Sequence, residues 1–292
     1  MQLSLPWRYG WTKPFGSIPR INWGHPLTRG LLTYCYDVGG PIIDLVGGGT
    51  GKIVASTTHI ARSVSPFGLG LKYGATSSSD YFLMPVNRRI STFGNSVPYT
   101  IACATFYTGA PNINSVVVGP SDGSSNQGPV FWIDGTNTFF AVVLNNANTH
   151  DFAQLRTTNT FQSWVCAAPS TTTATLYANG KLDSSLSGIA TTQSITGMSN
   201  IFNNGNTGSN NYSGGAGNGL VYYYAGWNRV LTAAEALLLH SDPYCFLIYP
   251  EDEIFATLVG ASAAPSFTWL QMTEEALRMP KAHWVREMIR HD

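Results

Sequence analysis

Between Leu31 and Tyr249 the sequence is cut into short apolar runs by clusters of Gly, Pro, Asn and Ser, and that punctuation leaves room for little except antiparallel strands. The predicted strands are Leu31–Tyr36, Gly51–Ala55, Leu69–Tyr73, Tyr81–Pro85, Tyr99–Tyr107, Ser115–Gly119, Val130–Asp134, Phe139–Leu144, Phe152–Arg156, Ser163–Ala167, Ala174–Tyr177, Ser199–Phe202 and Leu220–Gly226. Two hairpins are marked by their turns. Asn179-Gly180 supplies the positive φ of a type I′ turn between Thr175–Ala178 and Lys181–Asp183, and Asp134-Gly135-Thr136-Asn137 joins Val130–Ile133 to Thr138–Leu144. Helices do not alternate with the strands, so the expected fold is all-β, two antiparallel sheets stacked face to face.

The one helical signal closes this region. In Gly219–Pro250, Val221, Tyr223 and Ala225 alternate with Leu220, Tyr222 and Tyr224, which predicts a strand with one buried face. After Trp227-Asn228-Arg229, Thr232 opens Thr-x-x-Glu, a capping box in which Thr232 and Glu235 exchange hydrogen bonds. About eight residues later Asp242-Pro243 ends the helix. So short a helix is unstable alone, and Leu237, Leu238 and Leu239 are expected to pack on a larger body.

This ending, Trp-Asn-Arg-Val-Leu-Thr-x-x-Glu and then Asp-Pro-Tyr, resembles the closing strand and helix of concanavalin A-like, laminin-G-type jelly rolls. Trp164-Val165 with Leu176-Tyr177-Ala178-Asn179-Gly180-Lys181 is similar to a hairpin of the same family. Ile21-Asn22-Trp23 with Pro26-Leu27-Thr28-Arg29-Gly30-Leu31 resembles its opening strand in chains of phage and prophage virion proteins. The resemblance covers roughly residues 20–250. It implies a concanavalin A-like jelly-roll sandwich at 21–250, and the flanking residues read by their own composition as an extended arm at 1–20 and a linker and helical arm at 251–292. It further implies a structural subunit of a bacteriophage virion, a capsid decoration, fibre or tail-associated protein. Such a subunit would be made in the host cytoplasm, assemble as a homo-oligomer such as a trimer, and contact capsid, portal or tail proteins. The alternative is an adhesion module that binds host-surface glycan.

Composition agrees with a mounted body. Net charge is zero and charged residues make up 11%, so no basic surplus exists to neutralise nucleic acid, and a neutral surface suits contact with neighbours. Cys103 and Cys166 sit in apolar strands, and the four cysteines show no close spacing, which predicts buried thiols. Met1–Gly10 lacks the apolar core of a signal peptide, and no stretch is long and apolar enough to insert in a membrane. Trp7, Tyr9, Trp11 and Phe15 stand among prolines in an extended arm that docks on a partner or lies over its own domain. Past the linker Gly260–Pro265, Trp284, Val285, Met288 and Ile289 form a helical stripe open to the same two readings.

Catalytic patterns are sparse. Glycan cleavage uses two flanking carboxylates, and between residues 20 and 250 the sole glutamate is Glu235, already explained as a cap. There is no His-x-His or His-Glu-x-x-His, and Gly47–Lys52 lacks the spacing of a phosphate loop. These absences predict a protein that is not an enzyme and holds no zinc or nucleotide. His240 reads as a cation or donor near the last helical carbonyls. Calcium is the cofactor the family suggests, and Asn203–Asn211 would offer it only amide oxygens. Glycan binding needs aromatic faces beside amides or carboxylates. The candidates are Trp132 with Asp134, Tyr212 with Asn211, and Tyr222 or Tyr224, each also open to plain packing.

Overall fold

The computed structural model describes residues 18–37, 42–54, 61–75, 81–83, 96–107, 116–121, 129–133, 140–145, 148–192, 200–203 and 215–248, all within the unit Gly10–Ile248. In chain order the strands are β1 (Arg20–Ile21), β2 (Leu31–Asp37), β3 (Ile42–Asp44), β4 (Lys52–Val54), β5 (Ala61–Ser65), β6 (Gly68–Ala75), β7 (Tyr81–Leu83), β8 (Tyr99–Tyr107) and β9 (Val116–Ser121). They continue with β10 (Val130–Ile133), β11 (Phe140–Asn145), β12 (Asn148–Asp151), β13 (Phe161–Ser170), β14 (Thr173–Ala178), β15 (Lys181–Ser187), β16 (Asn200–Asn203) and β17 (Gly215–Trp227). One helix, α1 (Ala233–Ser241), precedes β18 (Leu247–Ile248). No described helix is long and apolar enough to cross a membrane.

Two antiparallel sheets carry the body, as the punctuation predicts. One runs β12-β11-β10-β9-β16-β7-β4; the other runs β15-β14-β13-β8-β17-β2-β3, with the hairpin β5–β6 joined to β17. Alternate residues of the second sheet, Ile101 and Cys103 of β8, Trp164 and Cys166 of β13 and Leu176 of β14, meet Phe131 and Val142 of the first. Tyr224 spans the gap, its hydroxyl donating to the Pro129 carbonyl at 3.1 Å. Asn179 (φ 53°) and Gly180 (φ 72°) make the predicted two-residue turn between β14 and β15. Cys35, Cys103 and Cys166 are buried free thiols and Cys245 is half-buried.

The strand predictions fail at informative places. β17 buries both faces rather than one. An extra residue, Tyr222, bulges between Val221 opposite Thr105 and Tyr223 opposite Ala104, so the simple alternation breaks there. The outer face is then covered by aromatic rings. Tyr223 stacks on Tyr34 at 5.3 Å, Tyr34 meets Phe246 edge-on at 5.0 Å, and Tyr244 meets both Tyr36 and Tyr223. Such pairs contribute about 0.5–1.5 kcal/mol each beyond their area. Phe152–Arg156 is not a strand; it follows β12 as a loop.

The capping box forms: Thr232 Oγ1 accepts from the Glu235 N–H at 3.3 Å, and Glu235 Oε2 accepts from the Thr232 N–H at 2.8 Å. The helix turns Ala236 and Leu239 inward, while Leu237 and Leu238 stay exposed, because three successive positions cannot share one helical face. Arg229 locks this end to the opening segment. It donates to Arg29 O at 2.6 Å and Pro26 O at 3.2 Å, and forms a two-pronged pair with Glu235 at 2.6 and 2.9 Å. Trp227 Nε1 donates to Leu27 O at 2.6 Å beside it. The two stretches that resemble the family's beginning and end are thus one clamp in space.

Candidate functional site

The strand ends define where loops can gather. In the nine-stranded sheet Phe106 pairs with Phe161 and Tyr107 with Gly219, so β8 ends where β13 and β17 begin. In the other sheet Ile133 pairs with both Val116 and Phe140, Val117 with Asn203, and Ala141 with Asp151. The chain crosses between sheets from Tyr107 to Val116, from Asp151 to Phe161 and from Asn203 to Gly215. The described strand ends Tyr107, Val116, Ile133, Phe140, Asp151, Phe161 and Asn203 therefore lie at one end of the sandwich, joined there by the described crossover 152–160.

The described crossover, residues 152–160, shows how that end is braced. Phe152 is fully buried, 5.1 Å from Trp164 and 6.4 Å from Phe131, and anchors the loop in the core. Asp183 on β15 accepts from Ala153 N–H and Gln154 N–H at 2.9 and 2.7 Å. Buried Gln162 accepts from Thr157 N–H and donates to Leu155 O, at 2.8 and 3.0 Å. These side-chain bonds satisfy backbone groups that a strand would have paired, which is why this apolar run is a loop. Above them Arg156, 9% exposed, stacks its guanidinium 4.9 Å over the Tyr107 ring. The Asn159 N–H donates to Tyr107 O at 2.6 Å, with φ at 56°. The loop thus presents Thr157, Thr158 and Asn159 to solvent on a fixed base. Nearby on β12, burial pushes the His150 imidazole below its ordinary pKa while Asp151 pulls the other way.

The predicted ligand residues divide among described and undescribed positions. Trp132 lies in β10 with its backbone opposite Val117 and Ala141. Asp134, Asn211 and Tyr212 lie outside the described residues, but the strands they connect to terminate side by side at this end. Trp7, Tyr9, Trp11, Phe15, Trp284, Val285, Met288 and Ile289 also lie outside. Tyr222 is a correction: it is 1% exposed, packs on Phe161 at 5.6 Å and shares a 2.6 Å hydrogen bond with Ser65, so its ring cannot receive a sugar. Burial pushes its hydroxyl up to about 12, with the Ser65 bond opposing. Tyr224 is buried too.

His240 is a second correction. It shares a 3.1 Å hydrogen bond with Ser163 Oγ, and burial together with the Lys181 cation pushes its pKa down, so it docks α1 as a neutral ring rather than serving as a helix-end cation. Among the described residues no three His, Cys, Asp or Glu side chains gather as a metal site. Sequence reasoning missed Trp23. Its indole is 59% exposed in the turn before β2, and tryptophan in a predicted opening strand reads as core.

No protein-family model matches the chain, and no curated protein matches it in sequence. Its fold is similar to solved structures. A mutant of Trypanosoma rangeli sialidase displaying trans-sialidase activity matches over 74% of this chain and 33% of its own, at TM-score 0.52 and 12% identity. Trypanosoma rangeli sialidase matches over 73% and 32%, at TM-score 0.51 and 14% identity. Botulinum neurotoxin type C, whose passage into cells depends on interaction with two ganglioside molecules, matches over 72% and 50%, at TM-score 0.52 and 12% identity. The chain thus spans a third to a half of these proteins, and the likeness is one of fold, an antiparallel β-sandwich. It corrects the expectation that the chain is not an enzyme: the same fold occurs in sialidases, which are enzymes, so a sparse carboxylate count gives no ground for that exclusion.

Proposed function

We propose that this β-sandwich is a carbohydrate-binding module that holds a glycan at its loop-bearing end. The observation that carries the reading is the gathering of strand ends from both sheets there, with the described crossover braced from beneath by Asp183 and Gln162. A rigid base under polar loops limits the ordering cost of gripping a hydroxylated ligand. Trp132, Asp134, Asn211 and Tyr212 are the proposed contacts, an aromatic face with amide and carboxylate partners. The ganglioside dependence of the neurotoxin and the sugar chemistry of the sialidases, proteins of similar fold, support the assignment. The test is a glycan array probed with the full chain, followed by Tyr212→Ala and Asp134→Ala. We expect a restricted set of retained glycans and a loss of about tenfold or more in affinity for each variant. An empty array, or variants that bind like the parent, would refute the reading.

A second reading follows from the sequence resemblance to phage virion chains, whose opening and closing segments are the ones clamped together by Arg229. In it the module is carried on a particle, its flanking arms making the attachment. Deleting residues 1–20 and 261–292 should then abolish incorporation into particles while leaving glycan retention intact; incorporation of the truncated chain would discard this reading.

A further inference from the structure

We propose a second saccharide site, built on Trp23, at the opposite end of the nine-stranded sheet from the loops. The clamp around Trp227 sits where Trp227 pairs with Thr100 at the start of β8, and the loops leave where Tyr107 pairs with Gly219. Across the nine residues of β8 the separation is roughly 30 Å. A short oligosaccharide cannot bridge that distance, so the two sites bind independently.

The case rests on how the indole is mounted. The side chains of three tryptophans are described. Trp164 and Trp227 are fully buried with their indole N–H groups bonded to Thr105 Oγ1 and Leu27 O, whereas Trp23 stays 59% exposed. Its exposure does not come from a loose turn. Asn22 Oδ1 accepts from the Gly24 N–H at 3.1 Å, the His25 N–H donates to Asn22 O at 3.0 Å, and Thr28 Oγ1 donates to His25 O at 2.7 Å, with Trp23 O a second acceptor at 3.2 Å. The turn is tied to the closing segment by Asn22 N–H to Phe246 O at 2.9 Å. So the backbone that carries the ring is fixed, and the ring is left uncovered.

The surroundings choose the occupant. Within the turn the neighbours of Trp23 are Asn22, Gly24, His25 and Thr28, polar or small rather than apolar. A protein partner needs an apolar patch of several hundred square ångströms, and one indole in a polar turn does not supply it. A hexopyranose fits: its C–H face carries partial positive charge that matches the negative face of the indole, and its hydroxyls match polar neighbours. Asn22 keeps its oxygen engaged by the Gly24 N–H, so its amide N–H₂ is the part of the side chain that donates. The class of ligand is therefore a neutral hexopyranose, alone or at the end of a glycan.

The test uses the full chain labelled with 5-fluorotryptophan and titrated with the methyl glycosides of glucose, galactose and mannose, read by fluorine NMR. The Trp23 signal is identified by its loss in Trp23→Phe. We expect at least one glycoside to shift that signal saturably, Trp23→Ala to weaken this binding by about tenfold or more, and Tyr212→Ala to leave it unchanged. A Trp23 signal that no glycoside moves, or one shielded from iodide because protein covers the ring, would overturn the site. Those results would leave the loop-end reading standing, since that reading is judged by Tyr212→Ala and Asp134→Ala on the array.

Discussion

Replacing Arg229 with alanine should loosen the joint between the opening and closing segments without touching the core. The side chain and its partner Glu235 are 22% and 19% exposed, so water screens the ion pair only in part. A two-pronged pair in that setting contributes about 1 kcal/mol. The bonds to Arg29 O and Pro26 O add about 1 kcal/mol each, because each carbonyl loses a charged donor. The sum is about 3 kcal/mol, which for a sandwich of this size lowers Tm by roughly 6–12 °C. Glu235→Gln should cost less, about 1 kcal/mol, since an amide oxygen still accepts from Thr232 N–H. Calorimetry on the two variants and the double mutant gives the coupling, expected near 1 kcal/mol. A drop of under ~2 °C for Arg229→Ala, or strict additivity in the cycle, would refute the reasoning, since each means that the clamp carries no load.

Acid should release the same clamp. Burial alone would raise the Glu235 carboxyl, but Arg229 and the Thr232 N–H and hydroxyl outweigh it and hold the group below the ordinary carboxylate range. A lowered folded pKa means that the stabilisation is complete above the unfolded value and disappears as pH falls through the folded one. His240 behaves likewise in a higher window: its folded pKa is lowered, so denaturant midpoints should fall once pH drops below about 6.5. His150 adds in the same direction, and replacing both histidines should flatten the profile. Gly180→Ala forces a Cβ to 2.8 Å from Leu237 Cα at φ 72°, and should cost about 2–3 kcal/mol in urea titrations. With the native protein, a thiol reagent should label Cys245 first, because burial raises the pKa of Cys35, Cys103 and Cys166 and hides them; equal labelling of all four would contradict the packed core.

Local chemistry was readable wherever a short stretch contains its own explanation. Asn179-Gly180 needs only positive φ, and Thr232 with Glu235 needs only a helix start, so both formed as expected. What failed depends on partners far along the chain. Both faces of β17 are buried because Tyr34, Tyr36, Tyr244 and Phe246 fold over it, and period-two counting within β17 contains no sign of them. Phe152–Arg156 looks like a strand until Asp183, some 30 residues later, takes up its amides. The polar loops were visible in composition, but their common end followed only from strand register. Trp23 has its place in a family pattern, and nothing in that pattern distinguishes a displayed ring from a packed one.

The pairing of Arg20 with Ile248, in the two-residue ladder that joins β1 to β18, has a mechanical consequence. The chain enters and leaves the sandwich through one doorway, so tension on the two flanking stretches meets at a single point. Pulled apart, β1 and β18 open like a zipper, one rung at a time, and the large sheets are not sheared.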